Sequence, residues 1–287
     1  MSGALSVRAQ QTLERHGRTF RQAQIFQPRE AAADAAVVYL FCREADDLAD
    51  EAPDPAAARE ALDGMLAELR GERAPGPVVA AFLDVMARRG GAREPAIALV
   101  EAIRGDLEPV RVADDAALLR YAWGVAGTVG LLMAPVLGTR AAEAAGPAQD
   151  LGIAMQITNI CRDVREDAQR GRVYLPASRL LAHGVRPEEL LALRAPREAV
   201  AAVVLELLDL AERYYASAKL GYPHLPWRAR LCVAVAGAVY RRIGLRLRRV
   251  HGGDALAGRT VVPTLERIWT AAGALLAVLA GPRPRPS

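Results

Sequence analysis

Apolar residues along this chain recur at three- and four-residue spacing, in stretches punctuated by proline and glycine at helix-sized intervals. The segment PDPAAAREALDGMLAELRG shows the rule: Asp54 and Pro55 suit a helix start, and Gly71 suits its stop. The pattern predicts helices near 3–16, 29–50, 55–70, 76–89, 94–106, 114–137, 148–168, 197–219, 226–250 and 263–280. Alternation of period two is scarce, which argues against strands. Between 169 and 196 the pattern breaks, and QRGRVYLP reads as a loop leaving the preceding helix. No solenoid-length repeat or flexible linker divides the chain before the closing GPRPRPS. The expected architecture is a single all-α domain over residues 1–281 with a disordered tail at 282–287.

Composition agrees with that expectation. Of 287 residues, 52% are hydrophobic and 24% charged, enough apolar material for a large core. The net charge of +4 rests on arginine, since Lys219 is the only lysine. Arginine grips phosphate oxygens bidentately, so the bias suits a small anionic ligand. No basic stripe interleaved with aromatics is present, and no nucleic-acid partner is expected. Cys42, Cys161 and Cys232 are far apart and read as reduced thiols of a cytoplasmic protein. The N-terminal segment lacks the apolar core of a signal peptide. The apolar run IWTAAGALLAVLAG, 268–281, is short for a bilayer span and reads as a core or interfacial helix. RRIGLRLRR, 241–249, reads first as a solvated helix face, with peripheral membrane association as the second reading.

Two acidic clusters carry the chemistry. In YLFCREADDLADE, Asp46 and Asp50 share a helix face one turn apart, with Asp47 beside them and Arg43 a turn earlier. The acids close an apolar helix, where its dipole disfavours negative charge by about 0.3–1 kcal/mol. In QITNICRDVREDAQ, Asp163 and Asp167 repeat the spacing, Glu166 flanks them, and Asn159 lies one turn before. One such pair alone is most simply a solvated face. Two pairs, each late on an apolar helix and each beside arginine, point to cations. Face to face they would repel by roughly 4 kcal/mol per pair of charges about 4 Å apart. All-oxygen ligands suit Mg²⁺, which completes its shell with water and phosphate oxygens. The implied ligand is a diphosphate. Glu-x-x-His pairs, zinc spacing, GxSxG, a Walker loop and a dinucleotide fingerprint are all missing, so NADPH is not expected. A carboxylate pair also suits glycoside hydrolysis, but that leaves Asn159, Gln156 and the arginines without a role.

Four stretches, HGRTFRQA at 16–23, YLFCREADDLAD at 39–50, YAWGVAGTVGLLMAPVLG at 121–138 and LGIAMQITNICRDVREDAQRGRVYLP at 151–176, resemble the squalene/phytoene synthase family. The resemblance runs in order from about residue 10 to 260. It implies the isoprenoid-synthase helical fold with a central cavity, two to three Mg²⁺ ions and prenyl diphosphate substrates. Carried over, it makes Asp46, Asp50, Asn159, Asp163 and Asp167 metal ligands. Tyr39, Arg43, Gln156, Arg162 and Tyr240 match diphosphate neighbours, and Thr19 and Phe20 lie in a substrate-binding stretch. Tyr121, Val125, Ala126 and Gly127 match the wall where the prenyl chain and carbocation lie. Trp123 beside them reads as cavity wall or core. This chain departs from the family at Gly17, where serine is common, and at Gln24, where an apolar or aromatic residue is usual. Arg259 matches the family's late arginine only loosely.

The implied reaction is Mg²⁺-dependent head-to-head condensation of two prenyl diphosphates through a cyclopropyl diphosphate. Ala32, Ala35 and Ala36, upstream of the first aspartates, leave room for a long chain and favour two geranylgeranyl diphosphates giving phytoene. The alternative is the farnesyl version giving squalene or dehydrosqualene. A head-to-tail prenyltransferase or terpene cyclase on the same fold is a further alternative, against which the RGRVYLP exit speaks. A non-catalytic assembly factor would not need to retain two sets of mutually repelling acids.

Overall fold

The computed structural model describes residues 3–16, 26–108, 110–139 and 142–280. Thr19, Phe20 and the expected tail at 282–287 lie outside those residues. The described residues are predominantly helical: α1 Gly3–His16, α2 Arg29–Asp50, α3 Pro55–Arg70, α4 Pro77–Arg89, α5 Glu94–Gly105, α6 Asp115–Ala122 and α7 Thr128–Val136. These are followed by α8 Ala145–Gln169, α9 Ala177–Ala182, α10 Pro187–Leu191, α11 Arg197–Ala218, α12 Trp227–His251 and α13 Thr264–Ala280. Every predicted helix but that at 114–137 is found as one element. Asp54 caps α3 by accepting from Ala57 N at 2.9 Å, and Gly71, at φ 78°, ends it.

Three features escaped the sequence pattern. The predicted helix at 114–137 is interrupted by a π-helical turn, Trp123–Gly127, between α6 and α7. The stretch 169–196, where the pattern breaks, contains α9 and α10 beyond the expected QRGRVYLP loop, of six and five residues, too short to show a period. Within the same stretch, Val112 N donates to Val173 O at 3.3 Å and Val173 N to Val110 O at 3.2 Å. This ties the exit from α8 to the segment that leads into α6.

Two apolar clusters flank the centre of the molecule. One gathers α2, α3, α4, α5 and α7, with Phe41 stacked on Phe82 at 4.1 Å. The other gathers α6, α8, α11 and the 173–195 segment around Ile157, Leu175 and Leu207, each at most 1% exposed. Between them α8 meets the α6–α7 helix at backbone distance. A Cβ on Gly152 would stand 2.1 Å from Ala126 O, and one on Gly130 would stand 2.1 Å from Ala148 O. Only glycine permits this approach, which sets Val125 and Ala126 beside the second acidic helix. The stretch Asp115–Val136 is long and apolar enough to cross a membrane, yet its residues pack on α8 and form cavity wall.

Two expectations need correction here. Trp123 is neither cavity wall nor core: it is 37% exposed, and its Nε1 donates to Gln149 Oε1 at 2.8 Å, because the π turn rotates it outward. The arginines of 241–249 are not simply solvated. Arg241 pairs with Glu212, Arg242 and Arg246 with Glu266, and Arg248 with Asp209, which rivets α12 to α11 and α13.

Candidate active site

Both acidic clusters sit at helix C-terminal ends, where free carbonyls already concentrate negative charge. The ends of α2 and α8 open on one polar chamber of about 410 Å³. It adjoins an apolar cavity of about 350 Å³, and Asp46, Val125, Gln156 and Asn159 line both. Arg43, Asp50, Tyr121, Arg162 and Asp163 surround the chamber. Tyr39, Ala126 and Tyr240 line the apolar cavity. Asp167 lines neither; it lies one turn beyond Asp163, half-buried. Gly127 is buried against the Trp123 ring and Gln149, not on the cavity surface. Of the three small residues expected to leave room for the chain, only Ala35 reaches the cavity, while Ala36 packs into the first core.

Arginine partitions the acids. Arg43 pairs with Asp47 one turn on, leaving Asp46 and Asp50 without an ion pair among the described residues. Arg162 Nε donates to Asp163 Oδ1 at 2.7 Å, and its Nη2 bonds the other oxygen. Arg259 adds Nε to Asp163 Oδ1 at 3.3 Å and Nη1 to Glu166 at 3.6 Å. Arg162 therefore holds a carboxylate where phosphate contact was expected. Arg259, only loosely matched in sequence, reaches the second acidic cluster. Arg172 lines the chamber and has no ion pair among the described residues.

Asp46 and Asp167 resist ionisation. Asp46 is pushed up to about 6, first by the protein mass around it and then by Asp50 and Asp47, against the pull of Arg43. Its carboxylate still meets solvent, because the chamber it faces is wide. Burial and the charge of Asp163 push Asp167 up to about 7. Burial raises the Tyr39 phenol to about 12 and Tyr121 further still, so both are neutral near physiological pH.

Sequence reasoning missed a second group in the chamber. Asp106, just past α5, accepts from Tyr174 OH at 3.4 Å and from the Tyr121 hydroxyl. The Tyr121 and Tyr174 rings stack at 4.8 Å. Arg172 and Tyr174 belong to GRVYLP, which the resemblance singled out without giving them a role. A lone aspartate in EAIRGDLEP carries no spacing signal at all.

No trio of acids, cysteines and histidines converges on one point among the described residues. The donor chemistry nonetheless suits Mg²⁺, which takes one or two carboxylates and fills its shell with water and phosphate oxygen. Asn159 Oδ1 is buried without a hydrogen-bond partner, an acceptor placed for a cation beside the raised carboxyls.

Comparison with known proteins places this geometry. The profile of the family described as Squalene/phytoene synthase matches residues 13–266. The phytoene synthase of Pseudescherichia vulneris is 35% identical over 273 residues, covering 91% of this chain and 87% of that protein. The phytoene synthase of Thermus thermophilus is 37% identical over 276 residues, covering 96% and 94%. Among solved structures, a dehydrosqualene synthase in complex with ligand superimposes with a TM-score of 0.85 at 26% identity, covering 96% of this chain and 97% of that one. A squalene synthase from Alicyclobacillus acidocaldarius gives 0.76 at 26% identity, covering 85% and 93%.

Proposed function

Because this chain belongs to the squalene/phytoene synthase family, we propose that it joins two geranylgeranyl diphosphates head to head to give phytoene. The observation that carries this reading is the continuity of an acid- and arginine-lined chamber with an apolar cavity. That shape fits a molecule with diphosphate at one end and hydrocarbon at the other. The relatives named phytoene synthase support the C20 substrate, as does the small side chain of Ala35 on the cavity wall.

The first allylic C–O bond breaks, its electron pair leaving with diphosphate. The double bond of the second substrate attacks the cation, and a proton leaves as the cyclopropane closes. Cleavage of the second C–O bond, rearrangement and loss of another proton give the hydrocarbon. This route needs no reductant, in keeping with a chain that has no dinucleotide fingerprint. Arg172 is the chamber arginine with its guanidinium open to a leaving diphosphate, and Arg43 and Arg162 add positive charge nearby. The electron-rich rings of Tyr121 and Tyr174 stand at the chamber wall and favour a passing cation over water. The cavity wall of Val125, Ala126 and Val129 offers no nucleophile and excludes water. Asp46, Asp50, Asn159, Asp163 and Asp167 would hold Mg²⁺, whose Lewis acidity neutralises the diphosphate.

Product analysis after incubation with Mg²⁺ and either farnesyl or geranylgeranyl diphosphate tests the proposal. A C40 hydrocarbon from the C20 donor is expected, and a dominant C30 product overturns the chain-length assignment. Chelation by EDTA should stop diphosphate release; unchanged release would remove the metal from the mechanism.

A further inference from the structure

The apolar cavity is not apolar at both ends. Most of its wall is hydrocarbon, yet around the first turns of α12 it carries polar groups that the condensation does not use. Thr139, past the end of α7, is 7% exposed, and its Oγ1 is buried with no hydrogen-bond partner. Gln27, just before α2, buries its Nε2 equally unpaired. Tyr222, in the short 3₁₀ turn Lys219–His224, makes no side-chain hydrogen bond among the described residues. Burial pushes its phenol up to about 12, so the hydroxyl keeps its proton. All three residues line the cavity.

One place gathers them. Pro226 caps the start of α12, and a Cβ on Gly138, beside Thr139, would stand 3.2 Å from its Cγ. The Gln27 amide comes near the Cys232 thiol, in the second turn of α12. A thiol is too weak an acceptor to satisfy Nε2. The Tyr222 hydroxyl faces Gly237 of the same helix, 3.5 Å from where a Cβ would stand. The acidic chamber lies at the other end of the cavity, where Tyr240 meets the field of Arg162. From Trp227 to Tyr240 the helix runs about 20 Å, at 1.5 Å per residue. The polar groups therefore stand where the tail of a prenyl chain ends, not where its diphosphate sits.

Leaving such groups dry costs about 1–3 kcal/mol each. A single water with two to four polar partners relieves that cost. A hydrocarbon tail cannot, since it gives Nε2 no acceptor and the hydroxyls no partner. A tail long enough to press on these groups drives the water off and strands them. Stranding buried polar groups rejects a ligand more sharply than one methylene too many in an oily pocket.

We propose that Gln27, Thr139 and Tyr222 form a water-binding polar end to the cavity, which sets the longest prenyl chain the enzyme accepts. The limit, which presupposes the C20 reading above, lies one isoprene unit beyond it. A geranylgeranyl tail stops short of the polar groups, and a C25 tail meets them.

Competition between geranylgeranyl and geranylfarnesyl diphosphates, read as the ratio of kcat/KM for C25 over C20 with products sized by mass, tests this. Wild type should favour C20 by about a hundredfold. Gln27→Met/Thr139→Val removes the polar atoms but keeps side-chain length and bulk, and should raise the ratio about tenfold. A purely steric limit predicts no change, so an unmoved or lowered ratio would overturn the proposal. So would a wild type that takes C25 as readily as C20. A general loss of activity cancels in the ratio, which a merely structural role leaves still. Thr139→Val alone, almost unchanged in shape, should raise the ratio about threefold and serves if the double variant does not fold. If wild type makes C30 from the C15 donor instead, the chain-length assignment fails by itself. The ratio of C20 over C15 in the same variants then decides whether the polar end sets the limit.

Discussion

The last turns of α2 and α8 each carry aspartates four residues apart, Asp46 with Asp50 and Asp163 with Asp167, but arginine reaches them differently. On α2, Arg43 neutralises the neighbouring Asp47 and leaves the working pair bare. On α8, Arg162 and Arg259 converge on Asp163 itself, and Asp167 is the bare one. Both arrangements leave a carboxyl that holds its proton too well, Asp46 near 6 and Asp167 near 7. The first end is open to a cation as it stands. At the second end, a cation and two guanidinium groups compete for the same oxygens. Two motifs that look alike in sequence therefore differ in what must move before they bind metal.

Removing charge at either end should have the largest effect. Asp46→Asn and Asp163→Asn should each lower diphosphate release at least a thousandfold, since they remove charge from where the leaving group develops its own. Asp47→Asn should lower it only about tenfold, because Asp47 is committed to Arg43. Equal losses at Asp46 and Asp47 would erase the distinction between bare and paired acids on α2. Next comes the crossing that brings the ends together. Gly152→Ala forces a Cβ against Ala126 O and should cost about 3 kcal/mol in chemical denaturation.

The helices were legible because their signals are local: a repeating apolar stripe, an Asp–Pro start, a glycine stop. The acids were legible because four-residue spacing places two side chains on one face whatever surrounds them. What stayed hidden depends on where helices meet. Asp106 joins the chamber only because α5 ends beside Tyr121 and Tyr174. Arg172 and Tyr174 are held there by the short pairing of Val173 with the 110–112 segment, which no residue pattern announces. Trp123 was misplaced because a π turn shifts the helical phase after Ala122, and WGVAG contains no proline to mark it. The run in α13 was legible as apolar, but no residue of that helix is buried, and its orientation is set by Glu266 finding two arginines on α12.

The raised carboxyls give a pH test of smaller size. Both fold with pKa values above the unfolded value, so they favour the folded metal-free protein in acid. That contribution fades as pH climbs from about 4 to 7. The melting temperature without metal should therefore fall over that range, and Asp167→Asn should flatten the fall. Saturating Mg²⁺ should raise the melting temperature by several degrees at pH 8 and by much less at pH 5.5, where protons hold the same oxygens. A metal-induced rise that is equal at both values would mean that the raised acids are not the ligands.

Arg259 offers the finest discrimination between the two ends. Its side chain is 50% exposed and its contacts with Asp163 and Glu166 are 3.3 and 3.6 Å, so solvent screens most of its pull. Pairs of this kind are worth about 0–1 kcal/mol, or at most about fivefold in an equilibrium. If Arg259 competes with the cation for Asp163, then Arg259→Ala should lower the half-saturating Mg²⁺ concentration for diphosphate release two- to threefold. Arg162→Gln should lower it further, because that guanidinium occupies both carboxylate oxygens from a more buried position. A rise in half-saturating Mg²⁺ for Arg259→Ala would reverse the assignment. The arginine would then hold the bound metal–diphosphate cluster together, and the α8 end would be as ready for a cation as the α2 end.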